Sequence, residues 1–253
     1  MADGSLIEST QRFYDTVARQ NPNQAFLNYG YADVAEPPGE TAPDLVTVCR
    51  RLYQEVLTPF PDAERALEVG CGRGGGAAFL LEHQPSLKYL GLDLSREHVA
   101  VCRRRFESLG RSASFAQANA SQLPVQSDRF DAAFSVEAVH HFDDIERFYR
   151  DVARALRPGG WFLLTGLWRP GDGSDASFEA AGFTVRERCD ITPNVIASLT
   201  RTTDLRQRLI ESLDLPERFR PLLFSWAGVR GHGAYESLAS GALKYLRFRL
   251  QRS

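Results

Sequence analysis

An acid followed by glycines on alternate positions, Glu68-Val69-Gly70-Cys71-Gly72-Arg73-Gly74, is the pattern in this chain best suited to holding a ligand. Glycine lets the backbone approach a bound molecule that a Cβ would push away. Amide groups at a following helix start can face that molecule. A second acid, Asp93, ends the run Leu87-Lys88-Tyr89-Leu90-Gly91-Leu92. It falls roughly 20 residues past the glycines, where a carboxylate can accept hydrogen bonds from ribose hydroxyls. A third group, Glu137-Ala138-Val139-His140-His141-Phe142, follows another apolar run. Histidine exchanges a proton near neutral pH, which suits a general base. Together these residues suggest a nucleotide-like cofactor and a proton-accepting side chain.

Two cofactors compete for the loop. Gly70, Gly72 and Gly75 fit the G-x-G-x-x-G spacing of a dinucleotide site. Gly70, Gly72 and Gly74, with Glu68 ahead, fit the E/D-x-G-x-G-x-G spacing of S-adenosylmethionine (SAM) sites. A carboxylate at Glu68 would repel a pyrophosphate and attract the cationic amine and sulfonium of SAM. Glu68 could also simply cap the turn. Asp93 points to adenosine binding and does not separate the two cofactors. Cys71 is either a reactive thiol or a small residue filling a tight turn.

These residues need a frame, and the sequence alternates strand and helix. Strands are expected at Arg65–Val69, over Leu87–Asp93, at Ala113–Gln117, Phe130–Val136, Trp161–Leu167, Phe183–Cys189 and Leu243–Leu250. Helices are expected at Leu6–Gln20, Pro43–Leu57, Gly75–His83, Arg96–Leu109 and Ile145–Leu156. Pro158-Gly159-Gly160 reads as a stop for the last of these. The alternation means a doubly wound α/β sheet, with Phe130–Val136 at its apolar centre.

In order and spacing, the matching motifs resemble the class I SAM-dependent methyltransferases. They are Ala66 to Gly76, Gly91-Leu92-Asp93-Leu94-Ser95, Leu123-Pro124 with Asp131 to Ala138, and Leu156-Arg157-Pro158-Gly159-Gly160-Trp161-Phe162-Leu163-Leu164. A looser resemblance in Phe26-Leu27-Asn28-Tyr29-Gly30-Tyr31 and Phe224 to Gly231 extends it to lipid methyltransferases. Those are of the phthiotriol/phenolphthiotriol dimycocerosate and fatty-acid O-methyltransferase type. The resemblance implies a Rossmann-like, mostly parallel seven-stranded sheet whose last strand is antiparallel. Roughly 50 residues, about 191–242, separate the last two strands, too many for a plain loop. They are expected to form a helical cap, with helices near Asp204–Ser212 and Glu217–Trp226. Residues 1–60 would form an N-terminal helical lid on a SAM-binding domain at 61–253. Phe219, Leu222, Leu223, Phe224 and Trp226 would either line an apolar pocket or pack the insertion on the core.

The resemblance also implies a set of site residues. Cofactor binding falls to Tyr31, Glu68, Gly70, Cys71, Gly72, Gly74, Asp93, Leu94, His98, Asn119, Ala120 and Glu137. Tyr29 and Tyr31 are the candidates to close over the methionine end, Tyr31 aligning best; the alternative is a lid residue packed on the core. Asn119 stands where an acid commonly accepts the adenine amino group; its amide oxygen can do the same, or it can serve only the turn. His140 is expected to be the base and His141 to play a catalytic or loop-fixing part. Gly166 stands where some related O-methyltransferases have an acid, so a metal-independent reaction is expected.

Composition sets the remaining bounds. The 253 residues carry 43% hydrophobic residues and a net charge of −2, so no basic footprint for nucleic acid is present. No run approaches the roughly 20 apolar residues of a membrane span. The start, Met1 to Ser5, lacks a signal-peptide pattern, which predicts a cytoplasmic protein. Four scattered cysteines lack metal-ligand spacing. The expected activity is methyl transfer from SAM to a hydroxyl of an apolar small molecule, a lipid or secondary metabolite. Alternatives are C-methylation or SAM-assisted cyclisation on the same fold, then an NAD-dependent oxidoreductase. A second copy of the chain is one option for a partner.

Overall fold

The computed structural model describes residues 15, 19, 24–36, 43–108, 113–214 and 216–253. The expected Leu6–Gln20 helix therefore lies almost wholly outside the described residues. Seven strands form one sheet in the order β3-β2-β1-β4-β5-β7-β6. They are β1 (Arg65–Val69), β2 (Lys88–Asp93), β3 (Ala113–Gln117), β4 (Phe130–Val136), β5 (Leu156–Trp168), β6 (Phe183–Asp190) and β7 (Lys244–Arg252). β1 to β5 pair in parallel. β7 runs antiparallel to both β5 and β6. The sheet is thus Rossmann-like and mostly parallel. Strand order reverses between β1 and β4, and ligands in such sheets bind outside the strand ends at that point.

The helices are α1 (Leu45–Leu57), α2 (Gly75–His83), α3 (Arg96–Ser108), α4 (Ile145–Ala155), α5 (Asp175–Ala180), α6 (Thr192–Glu211), α7 (Arg220–Trp226) and α8 (Gly233–Ala239). Local chemistry sets several of their starts. The Asp44 side chain accepts the Thr47 N–H to cap α1, and Asp144 accepts the Arg147 N–H to cap α4. Gly74 begins α2 in the left-handed region, at φ 78°.

Every residue of β4 is buried, as its unbroken apolar run requires. The two faces of the sheet carry separate cores. One joins Leu52, Val56 and Tyr53 of α1 to Phe134, Tyr89 and Tyr245. The other stacks Phe148, Phe162, Phe183, Trp168 and Phe248 around α4 and α5. Residues 24–31 and α6 also contribute to the first core, so the segments flanking the sheet share its apolar interior.

Three expectations are corrected. β5 begins at Leu156 and passes through Pro158-Gly159-Gly160. The irregularity is absorbed by a register shift between Phe130 and Ala132 of β4 and by Gly159 at φ 78°. The segment between β6 and β7 opens with one long helix, α6, of which only the second half was expected, and it also contains α8. Polar and β-branched residues in Thr192–Thr203 mask that first half. Phe219 and Leu222 are exposed at 42% and 59% and border neither of the two described cavities, while Leu223 joins Ile210 and Val229 in a small separate core and borders the smaller cavity.

Candidate active site

A cleft opens at the carboxyl ends of β1, β2 and β4. Its volume is about 1140 Å³ including the open mouth. It collects Gly70, Cys71, Gly72, Asp93, Leu94, His98, Asn119, Ala120, Glu137, His140 and His141 on its walls, with Tyr29 and Trp226 across from them. Tyr31, Glu68 and Gly74, expected among the ligand contacts, do not line it.

The glycine loop is held by its own hydrogen bonds. Gly70 and Cys71 donate their amides to the Leu92 carbonyl at 2.8 and 3.0 Å. Gly72 donates to Asp93 Oδ2 at 2.8 Å. Gly74 donates to the Cys71 carbonyl at 3.0 Å. These amides are committed within the protein, so the loop offers a ligand close approach rather than free N–H donors. Gly72 makes the approach possible. At φ 51°, a Cβ there would enter open space, with only Leu27 Cδ1 within reach at 3.7 Å. Gly74 is glycine for another reason: its Cβ would strike Phe106 of α3 at 2.8 Å. That is a packing constraint, and sequence spacing alone cannot distinguish it from ligand contact.

The three acids have different surroundings. Glu68 is fully buried under the loop. It accepts from the Tyr53 hydroxyl at 3.2 Å and from the Tyr89 hydroxyl. Burial pushes its pKa up to about 8, against the lowering effect of the two tyrosines. It therefore meets the cleft only through Tyr53, which does line it. Asp93 uses both oxygens. Oδ2 takes the Gly72 amide; Oδ1 takes the Ser95 amide at 2.9 Å and His98 Nδ1 at 3.2 Å. One of its roughly four lone-pair sites remains for a ligand hydroxyl.

Glu137 follows the last residue of β4 with a left-handed backbone, φ 55°, a conformation that costs a non-glycine residue about 1–3 kcal/mol. Its Oε2 accepts the Tyr29 amide at 2.8 Å and the Tyr245 hydroxyl at 2.6 Å. Burial raises its pKa to about 7, while those two donors and Arg206 pull the other way.

The Val139–His141 turn carries the two histidines, whose ring centroids lie 4.1 Å apart. Both residues line the cleft and are exposed to solvent, with protein atoms crowding the rings from one side. Desolvation, then repulsion from His141, holds His140 well below the usual histidine range. Desolvation takes His141 to about 4, despite the pull of Asp93. Both are neutral at pH 7. A Cβ at Gly166 would come within 3.6 Å of His140 Nδ1, and among the described residues no carboxylate hydrogen-bonds that ring.

Asn119 Oδ1 accepts the Ser121 amide at 2.8 Å, an Asx turn that leaves a second lone pair available. Tyr31 turns away from the cleft. Its amide bonds the Val48 carbonyl at 2.9 Å, and its ring packs beside the first core. Tyr29 takes the place expected for it. Its hydroxyl donates to the Trp226 carbonyl at 2.9 Å, which closes one side of the cleft. A slip of two residues in so irregular a segment leaves no periodicity signal to correct it. Sequence reasoning also missed Tyr53 and Arg73 on the cleft wall. Tyr53 sits on the apolar face of α1 and carries no motif.

The profile of the methyltransferase-domain family matches residues 67–164, the stretch from β1 to β5 that builds this cleft. The chain belongs to the class I SAM-dependent methyltransferases. It is 30% identical over 194 residues to phthiotriol/phenolphthiotriol dimycocerosates methyltransferase 1 of Mycobacterium ulcerans, covering 74% of this chain and 70% of that protein. It is 37% identical over 157 residues to a fatty-acid O-methyltransferase of Mycolicibacterium smegmatis, covering 60% of this chain and 56% of that protein. Among solved structures, the 4+2 cyclase SpnF matches with a TM-score of 0.76 at 20% identity, over 96% of this chain and 94% of that one. No described helix is long and apolar enough to cross a membrane.

The cofactor is SAM, and the cleft fits it. Gly72 leaves a cradle that a Cβ would fill, Asp93 and Asn119 keep acceptor capacity, and Leu27, Leu94 and Ala120 supply an apolar wall.

Proposed function

We propose that this chain transfers a methyl group to the hydroxyl oxygen of an apolar small molecule, a lipid or secondary metabolite. The observation that supports this best is one cleft that gathers the glycine loop, Asp93 and the two neutral histidines beneath Tyr29 and Trp226. Bound SAM supplies an electrophilic methyl on its sulfonium. The protein's part is to hold the acceptor in line with that methyl, exclude water and take a proton. His140 is the proton acceptor in this reading, because an uncharged ring on the cleft wall has a lone pair to offer. Asp93, with His98 beside it, holds the adenosine side, and Asn119 the adenine. Oxygen as the target is in keeping with the name of the fatty-acid relative. Residues 24–36 and the helices between β6 and β7 act as a two-sided lid over the sheet's domain. Tyr29 Oη to the Trp226 carbonyl is the seam between them.

A second reading keeps the fold and changes the reaction, to C-methylation or SAM-assisted cyclisation. It is favoured by the absence, among the described residues, of a carboxylate orienting His140, with Gly166 packed at that ring instead.

The test is a panel of hydroxylated, carboxylated and unsaturated apolar acceptors. S-adenosylhomocysteine release and product mass are measured for wild type and His140→Ala. A mass gain of one methyl on oxygen is expected, with turnover in the variant down by roughly 100-fold at unchanged S-adenosylhomocysteine affinity. Undiminished turnover removes His140 as base. A methyl on carbon, or product without added mass, selects the second reading.

A further inference from the structure

A cationic cofactor needs a counter-charge, and the cleft offers few. Glu68, the acid placed for that role by its position ahead of the glycines, has both oxygens bonded to tyrosines and does not reach the cleft wall. Asp93 is on the wall, yet it is occupied by three donors from its own neighbourhood. Asp143 sits at the rim, where water screens it.

Glu137 differs from all three. It lines the cleft, and both of its protein donors go to one oxygen, Oε2. Among the described residues Oε1 accepts no hydrogen bond. No lysine, arginine or histidine of the described residues forms an ion pair with it at contact distance. The charged and titratable groups facing it are known from each packed element. They are Tyr245 from β7, Arg206 from α6, Cys49 from α1, and His140 and His141 from its own turn. Arg206 acts at a distance, since its guanidinium is bound to Thr202 Oγ1 and to the carbonyls of Tyr29 and Ala227. The Tyr245 hydroxyl and Cys49 thiol are both pushed up by burial, so neither is charged near neutral pH. The two histidines are neutral there too. Glu137 is thus a carboxyl without a partner cation, aimed by a left-handed backbone into a site that receives one.

We propose that Glu137 is the counter-ion of the cofactor's cationic end, and that cofactor binding drives a proton off its carboxyl. The inference rests on SAM occupying this cleft and is independent of which atom receives the methyl. A carboxyl deprived of water but offered a fixed positive charge ionises, because the charge replaces the lost solvation. The positive centre can be the α-ammonium or the sulfonium. Both are cations within one ligand, and related compounds separate them. SAM has both, S-adenosylhomocysteine keeps only the ammonium, and 5′-methylthioadenosine has neither.

The measurement is calorimetric binding of the three compounds at pH 5.5 and 7.0, in buffers of differing ionisation enthalpy. With Glu137 titrating near 7 in the free protein, its ionised fraction rises about 15-fold over that window. Wild-type affinity for SAM should rise by a similar factor, with close to one proton released per SAM bound at pH 5.5. 5′-Methylthioadenosine should bind with little pH dependence. Glu137→Gln should abolish both the slope and the proton release. Tyr245→Phe removes a donor to Oε2 and should move the slope to higher pH without abolishing it. A slope shared by SAM and S-adenosylhomocysteine assigns the ammonium; a slope for SAM alone assigns the sulfonium. A flat wild-type profile, or a slope that survives in Glu137→Gln, overturns the proposal. Failure of 5′-methylthioadenosine to bind at all would instead remove the adenosine site from this cleft.

Discussion

Gly70 shows how strict the site is at the level of one residue. It holds φ 79°, and a Cβ there would lie 2.3 Å from the Cβ of Ala138. The end of β1 and the turn after β4 therefore touch through a missing methyl. Gly70→Ala should destabilise the protein by about 1–3 kcal/mol and displace the Glu137–His141 turn. Urea unfolding gives the first quantity, and SAM calorimetry should show weakened binding. Gly72→Ala provides the contrast. Its Cβ would meet almost nothing in the protein, so the penalty should fall mainly on cofactor affinity and only through backbone strain on stability. Equal losses in both variants would mean that the two glycines share one role. The residues that line the cleft were legible in sequence wherever a motif concentrates them. Asp93, Gly72 and the histidine pair come from runs whose residue types have few other uses. Glu68 and Gly74 fit the same motif but serve the interior. What separates them is the neighbours brought by folding, Tyr53, Tyr89 and Phe106, which lie far along the chain.

Elements were legible where periodicity is strong and their ends are marked. β1, β3, β4 and α2 fall where the residue pattern places them, because apolar runs and glycine or acid boundaries coincide there. α6 was half missed, since Thr192, Asn194, Ser198, Thr200, Thr202 and Thr203 are poor helix formers. The structure shows why the helix forms anyway. Pro193 sits in its first turn, and Ser198 and Thr202 are buried and bonded, to the Tyr29 and Ser198 carbonyls respectively at 2.8 Å. Arg206 continues that row and reaches the carbonyls of Tyr29 at 2.9 Å and Ala227 at 3.2 Å. This polar stripe fastens residues 24–31 to the helix that faces them. Arg206→Met should leave buried carbonyls without donors and cost about 2–4 kcal/mol. Its effect on turnover should include a higher KM for the acceptor, if residues 24–31 are the proposed lid, together with weaker SAM binding below pH 7, because Arg206 also favours the ionised form of Glu137. A variant that loses SAM affinity and keeps acceptor KM would count against the lid.

For the whole molecule, the buried acids set the response to pH. Glu68 is held near 8 and Glu137 near 7, both above the ordinary 4.5. Between 4.5 and those values the folded state holds protons that the unfolded chain has released. Stability is therefore fully present at the acid end of that interval and falls as pH rises through it. Asp44, lowered from 3.8 by the Thr47 hydroxyl, works in the opposite sense below this window, and the lowered histidines His140 and His141 work in the opposite sense within it, up to about pH 6.5. Urea unfolding from pH 6.5 to pH 8, where the histidines of the unfolded chain are largely neutral, should lose about 1–2 kcal/mol, and Glu68→Gln should flatten much of that slope. A wild type that gains stability across the window would contradict the burial of Glu68.

β7 comes last of the seven strands in chain order, yet it fills the gap between β5 and β6. It also brings Tyr245 to Glu137. While the chain is being made, every earlier strand can exist before this one. Until it arrives, β5 and β6 each present an open edge of unpaired backbone groups, the kind of edge that recruits other chains. Synthesis thus passes through a stage in which the cofactor loop is present, the wall behind Glu137 is missing, and the sheet is at its most adhesive. A ribosome stalled before residue 244 would display that intermediate.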